Sequence, residues 1–99
     1  MIDFSLIAGF DWDGGNVRKN DKHRVLPAEA EQIFFDSKLL VVDDIQHSGL
    51  EPRFQALGCT DSKRLLHISF TLRNEKSHIR VISARDASHK ERKWYESQT

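Results

Sequence analysis

The side chains able to do chemistry together here are cationic and protic: Lys22, His23, His47, Glu51, Arg53, Arg64, His67, Arg73, Arg80, Arg85 and Tyr95. No nucleotide-binding glycine loop, nucleophile elbow or zinc framework accompanies them. The five histidines and the single cysteine, Cys59, are scattered without metal-ligand spacing, so neither a metal nor a cofactor is expected. Such a set suits metal-free cleavage of RNA. A base takes the ribose 2′-hydroxyl proton, fixed cations hold the charge on the phosphorane, and an acid protonates the leaving oxygen. Arginine fits the middle role because its planar fork binds phosphate oxygens in pairs. The candidate catalytic residues are His47, Glu51, Arg64, Arg80, Arg85 and Tyr95, and the candidate substrate contacts are Lys22, His23, Arg53, His67, Arg73 and Arg92. Each also has a structural reading. Arg64 could be a hairpin-end solubiliser, His67 a satisfied sheet histidine, and Tyr95 a helix residue packed beside Trp94. Convergence alone carries the catalytic reading.

These residues must be positioned by strands. In Arg64–Leu72, Leu66, Ile68, Phe70 and Leu72 share one face, with Leu65, His67, Ser69 and Thr71 on the other. Arg53 and Gln55 lie opposite Phe54 and Ala56, and Arg80 lies opposite Ile79 and Val81. Each strand therefore offers an apolar face to helices and a polar, mostly basic face to something else. Strict alternation along Ile79–Arg85 would put Arg85 opposite Arg80, so Arg85 is expected past the strand end, in the turn before Ser88. There Ser88-x-x-Glu91 reads as a capping box opening a helix.

Upstream, Phe10–Asp13 reads as a short first strand stopped by Gly14-Gly15, and Asn16–His23 as a polar helix anchored by Val17. Pro27 suits the first turn of a second helix whose Ala30, Ile33 and Phe34 face the core. Leu39–Val42 starts a run of strands joined by turns at His47–Gly49, Thr60–Lys63 and Arg73–Ser77. The order is β-α-α-β-β-β-β-α. Short links imply an α+β fold: an antiparallel meander with two N-terminal helices and one C-terminal helix, in one domain over residues 1–99.

Lysine and arginine balance aspartate and glutamate at 15 each, yet the halves differ: residues 1–52 carry −5 and residues 53–99 carry +5. This division fits either an anion-binding face, nucleic acid being the commonest partner, or two halves that neutralise each other. A single cysteine leaves no internal disulfide and agrees with a reducing cytosol. Asp3 precedes the apolar run at Leu6–Ala8 and no basic residue does, so neither a signal peptide nor a membrane span is expected.

The residues then show a resemblance. Trp12-Asp13, Asn20 with Lys22-His23, Phe34-Phe35-Asp36, Asp44, His47-Ser48, Glu51-x-Arg53 and Gly58 are spaced as in the BrnT toxin family. So are Arg64-Leu65-Leu66, Thr71-x-Arg73, Arg80-x-Ile82-Ser83-Ala84-Arg85, Glu91-Arg92 and Tyr95-Glu96, giving a match over about residues 10–96. The chain departs from the family pattern at Asn16 (commonly lysine), Arg24 (glycine), Leu26 (serine) and Pro52 (glutamate). The resemblance implies a RelE-like fold and a cytoplasmic, metal-independent endoribonuclease toxin of a bacterial type II toxin–antitoxin system. It implies RNA as substrate and a BrnA-like ribbon-helix-helix antitoxin as partner, with operator DNA reached only through that antitoxin and no membrane. The alternative is a non-catalytic RNA-binding or decayed toxin domain that still docks its antitoxin.

Overall fold

The structure, a computed structural model, describes residues 2–98. Its elements run β1 (Gly9–Phe10), α1 (Gly14–Asp21), α2 (Pro27–Gln32), β2 (Leu40–Asp43), β3 (Arg53–Cys59), β4 (Leu65–Arg73), β5 (His78–Asp86) and α3 (His89–Gln98). Single turns of 3-10 helix at Phe4–Leu6, Ile33–Phe35 and Ile45–His47 link them. The sheet order is β1-β5-β4-β3-β2. β2 to β5 form the expected antiparallel meander, but β1 pairs parallel with β5, Gly9 opposite His78 and Phe10 opposite Ile79. The sheet is mixed, which corrects the purely antiparallel reading. Short turns dictate adjacency only among β2–β5, whereas β1 is placed by the long return through α1 and α2.

The first strand is also shorter than expected, because Asp13 leaves it to cap α1. Its carboxylate accepts from Gly15 N at 2.8 Å and Asn16 N at 3.3 Å, while Asn16 Oδ1 accepts from Asp13 N at 2.7 Å. The helix thus begins at the two glycines. Val17 is only half-buried; α1 is anchored by Asn16 and Asn20, which are 3% and 0% exposed. Asn16 Nδ2 donates to Asp11 O and Val81 O, both at 2.9 Å, tying the helix to β5.

One sheet face packs under α2 and the turn after it. Val25, Ala30 and Ile33 bury against Ala56, Leu66, Ile68, Phe70, Ile79, Val81 and Ala84, and Phe34 sets its ring edge-on to Phe70 at 5.1 Å. Gly58 allows that approach: a Cβ there would lie 2.9 Å from Ile33 Cβ. Leu26 supplies no side-chain cap to α2, and Glu29 Oε1 instead accepts Leu26 N at 3.0 Å behind Pro27.

Arg24 connects the two N-terminal helices with φ of 57°, the left-handed region where a Cβ is penalised. This explains why glycine suits the position. Arg24→Gly is expected to raise stability by about 0.5–1 kcal/mol, part of the relieved strain being offset by glycine's greater freedom when unfolded. A urea midpoint no higher than that of the parent would refute this.

The register between β4 and β5 shifts at Ser69/Phe70. Ser69 faces Ser83 and Phe70 faces Val81, so Ile82 is an extra residue on β5. This β-bulge resets the alternation. Arg85 therefore lies within the strand, opposite His67, and shares a face with Arg80, which is opposite Thr71. The expectation that Arg85 lies in the turn beyond the strand is corrected: β5 runs to Asp86. The Ser88 capping box does form, with Ser88 N to Glu91 Oε1 at 2.9 Å and Glu91 N to Ser88 Oγ at 3.1 Å.

Candidate active site

The face opposite the main core carries three cross-strand rows: Arg53–Thr71–Arg80, Gln55–Ser69–Ser83 and Leu57–His67–Arg85. α3 covers only its far end, where Leu57, Leu65 and Tyr95 bury together with Leu40, Cys59 and Ala87 at the margin. The remainder is polar. Thr71 is buried and donates to Pro52 O at 2.6 Å, which ties the loop after His47 down beside the arginine row.

A continuous chain of hydrogen bonds crosses this face. His47 Nδ1 lies 2.9 Å from both Asp44 oxygens, Gln55 Nε2 donates to Asp44 Oδ2 at 3.0 Å, and Gln55 Oε1 meets His67 Nε2 at 3.0 Å. Asp44 then requires the proton of His47 on Nδ1, which leaves Nε2 as the lone pair. Gln55 Oε1 likewise requires the proton of His67 on Nε2. The bond from Gln55, and then that from His47, holds the Asp44 carboxyl below its usual range. Burial pushes the His67 imidazole below its usual range, with the Glu91 carboxylate 3.8 Å away opposing the shift and the charge of Arg85 assisting it.

The arginines of this face have carboxylate partners, with one exception. Arg80 reaches Asp13 at 3.0 Å and Asp11 at 3.4 Å, Arg73 reaches Glu51 at 2.6 Å, and Arg85 grips Glu91 with two parallel bonds of 2.8 and 2.9 Å. Arg53 alone among them makes no side-chain hydrogen bond or ion pair with another described residue. The acidic first half and basic second half thus neutralise each other in part, through Asp11, Asp13, Glu29 and Glu51.

His47, Glu51, Arg53, His67, Arg73, Arg80 and Arg85 therefore gather on or beside the open face. The other candidates lie elsewhere. Arg64 binds Asp86 at 2.6 Å, Glu29 at 3.2 Å and the carbonyls of Arg24 and His23, clamping the α1–α2 link to the end of β5. His23 and Arg92 add their charge near Asp86, whose carboxyl is held low first by Arg64. Lys22 is exposed at the end of α1. Tyr95 is only 8% exposed and donates to Asp36 Oδ2 at 2.6 Å, an oxygen that also accepts Cys59 N. Burial, then the Asp36 carboxylate, raises its phenol above the ordinary range. Tyr95 packs against the Leu57 and Leu65 side of the sheet.

Sequence reasoning passed over Asp44, Gln55 and Glu91 as functional groups. The signal for Gln55 was present, since its parity with Arg53 placed it on the polar face. Glu91 reads in the sequence as a cap residue and as a candidate partner of Arg80, but it is Arg85 that it binds, while Arg80 binds Asp13 and Asp11. The Glu91 carboxyl is lowered to about 2, first by Arg85, with burial opposing and Ser88 N assisting. A carboxyl with a depressed folded value stabilises fully above its unfolded value and loses that contribution as pH falls through the folded one. Stability is therefore expected to drop between about pH 5 and pH 2, and to drop less steeply in Glu91→Gln. Parallel pH-melt curves for the two proteins would contradict this.

Among the described residues no helix is long and apolar enough to cross a membrane. A family model described as ribonuclease toxin, BrnT, of type II toxin-antitoxin system matches residues 12–91. No curated protein matches the chain.

Proposed function

The chain belongs to the BrnT family of ribonuclease toxins of type II toxin–antitoxin systems, and from that premise we propose that its open sheet face cleaves RNA without a metal ion. The observation carrying this reading is the bulge at Ile82, which brings Arg80 and Arg85 onto one face with Arg53 and His67. His47 is the base: it is exposed, its Nδ1 is committed to Asp44, and its Nε2 is free to take the 2′-hydroxyl proton. Arg80 and Arg85 stabilise charge on the phosphorane, and Arg53 meets a neighbouring phosphate. Arg73 and Glu51 border the substrate path, while Lys22, His23 and Arg92 are outlying substrate contacts. Arg64 and Tyr95 act as scaffold, holding the α1–α2 link and α3.

The proposal extends to a RelE-like arrangement, a cytoplasmic location, one domain over residues 1–99, and neutralisation by a BrnA-like ribbon-helix-helix antitoxin that alone contacts operator DNA. Such a partner contributes acidic groups to the cationic face. A second reading has its own support: Arg80 and Arg85 already satisfy Asp11, Asp13 and Glu91. They would then be structural, and the domain would bind RNA or antitoxin without catalysis. Incubating purified protein with RNA in excess chelator separates the two. Fragments ending in 2′,3′-cyclic phosphate and 5′-hydroxyl support the enzyme, because the 2′-oxygen has then attacked. Binding without fragments supports the second reading.

A further inference from the structure

We infer that the cleft between α3 and the sheet is a nucleobase site, with Trp94 as its stacking wall. This inference rests on RNA being the substrate. The cleft holds about 60 Å³ and is lined by Val42, Leu57 and Trp94 on its apolar sides and by Gln55, His67 and Glu91 as polar groups. That is room for about two waters, enough for the edge of an aromatic ring whose face lies outside it. Trp94 and Val42 are 42% and 43% exposed, so the apolar walls are open to an incoming group. The indole stands one turn beyond Glu91, on the side of α3 that faces the His67 row.

The chemistry matches a base rather than an aliphatic group or an ion. A nucleobase presents an apolar π-face and a hydrogen-bonding edge at right angles to each other. The cleft offers an indole for the face and Gln55, His67 and Glu91 for the edge. Its position matches as well: Gln55 and His67 also belong to the hydrogen-bond chain that holds His47, and Arg85 beside Glu91 is 40% exposed. A base seated here would bring its own phosphate to the arginines. Stacking on an aromatic side chain tolerates any base, so the wall supplies affinity and the polar edge supplies preference.

The test uses an RNA oligonucleotide that the protein cleaves, and the same oligonucleotide with single abasic residues placed along it, each with the parent protein, Trp94→Ala and Trp94→Phe. Thermal melts confirm the folded fraction. For the parent, one abasic position is expected to raise KM about tenfold. Trp94→Ala should raise KM about tenfold on intact RNA and show no further loss at that same position. Trp94→Phe should retain most of the parent's affinity. A folded Trp94→Ala with unchanged KM, or equal abasic losses in parent and variant, would overturn the base site while leaving the ribonuclease reading intact. Unchanged RNA kinetics with weakened binding of a purified antitoxin would assign the cleft to the protein partner instead. A parent protein that neither binds nor cleaves RNA would remove both readings together.

Discussion

Arg80→Lys is expected to slow RNA cleavage at saturating substrate by about 10²–10³-fold, the usual loss on removing a donor aimed at transition-state charge. Lysine keeps the charge but not the paired geometry, so RNA affinity should fall much less than turnover. Catalysis by Arg80 requires it to exchange Asp13 for phosphate. The Arg80 side chain is only 18% exposed, and the Asp13 carboxyl is held low first by Arg80 itself. If the pair is purely structural, Arg80→Lys will loosen α1 from β5 and lower the melting temperature, leaving the rate per folded molecule intact. Melts and single-turnover rates on the same preparation decide between these outcomes.

His47→Ala is expected to reduce turnover by about 10²-fold or more, the ordinary contribution of a positioned base. Its side chain is 61% exposed, and its ring partner is Asp44, which also holds Gln55. Removing the ring should therefore leave the fold nearly unchanged, and a melt should show as much. Asp44→Asn should give an intermediate loss, because the imidazole remains but its orienting carboxylate does not. Equal rates for His47→Ala and the parent would remove His47 from the mechanism.

Much of this face is legible in the strand alternation of the chain. β3 falls on Arg53–Cys59 as its pattern of apolar and polar residues requires, and Leu66, Ile68 and Phe70 fill the core as their spacing demands. The bulge is not legible. Ile82 is a good strand former whether paired or extra, and only the register of β4 against β5 shows that it is unpaired. Without it, Arg85 could be given no face. The partners of the arginines were equally hidden, because Arg80 and Asp13 are 67 residues apart in sequence and meet only through the parallel pairing of β1 with β5. The surroundings of Tyr95 were hidden for another reason. A phenol on a basic helix looks available, but Asp36, far away in the chain, takes its hydroxyl into a small core. Asn16 and Asn20 went unread as anchors because buried asparagine has no periodic signature.

The cleavage itself is the most direct measurement. Purified parent protein and Arg80→Lys, matched for folded fraction by circular dichroism, are incubated with RNA in excess chelator, and fragments are counted over time. The expected result is chelator-resistant cleavage by the parent, slower by about two orders of magnitude or more in Arg80→Lys. RNA that stays intact with the folded parent, or that is cut equally fast by the folded variant, would contradict the assignment of catalysis to this face.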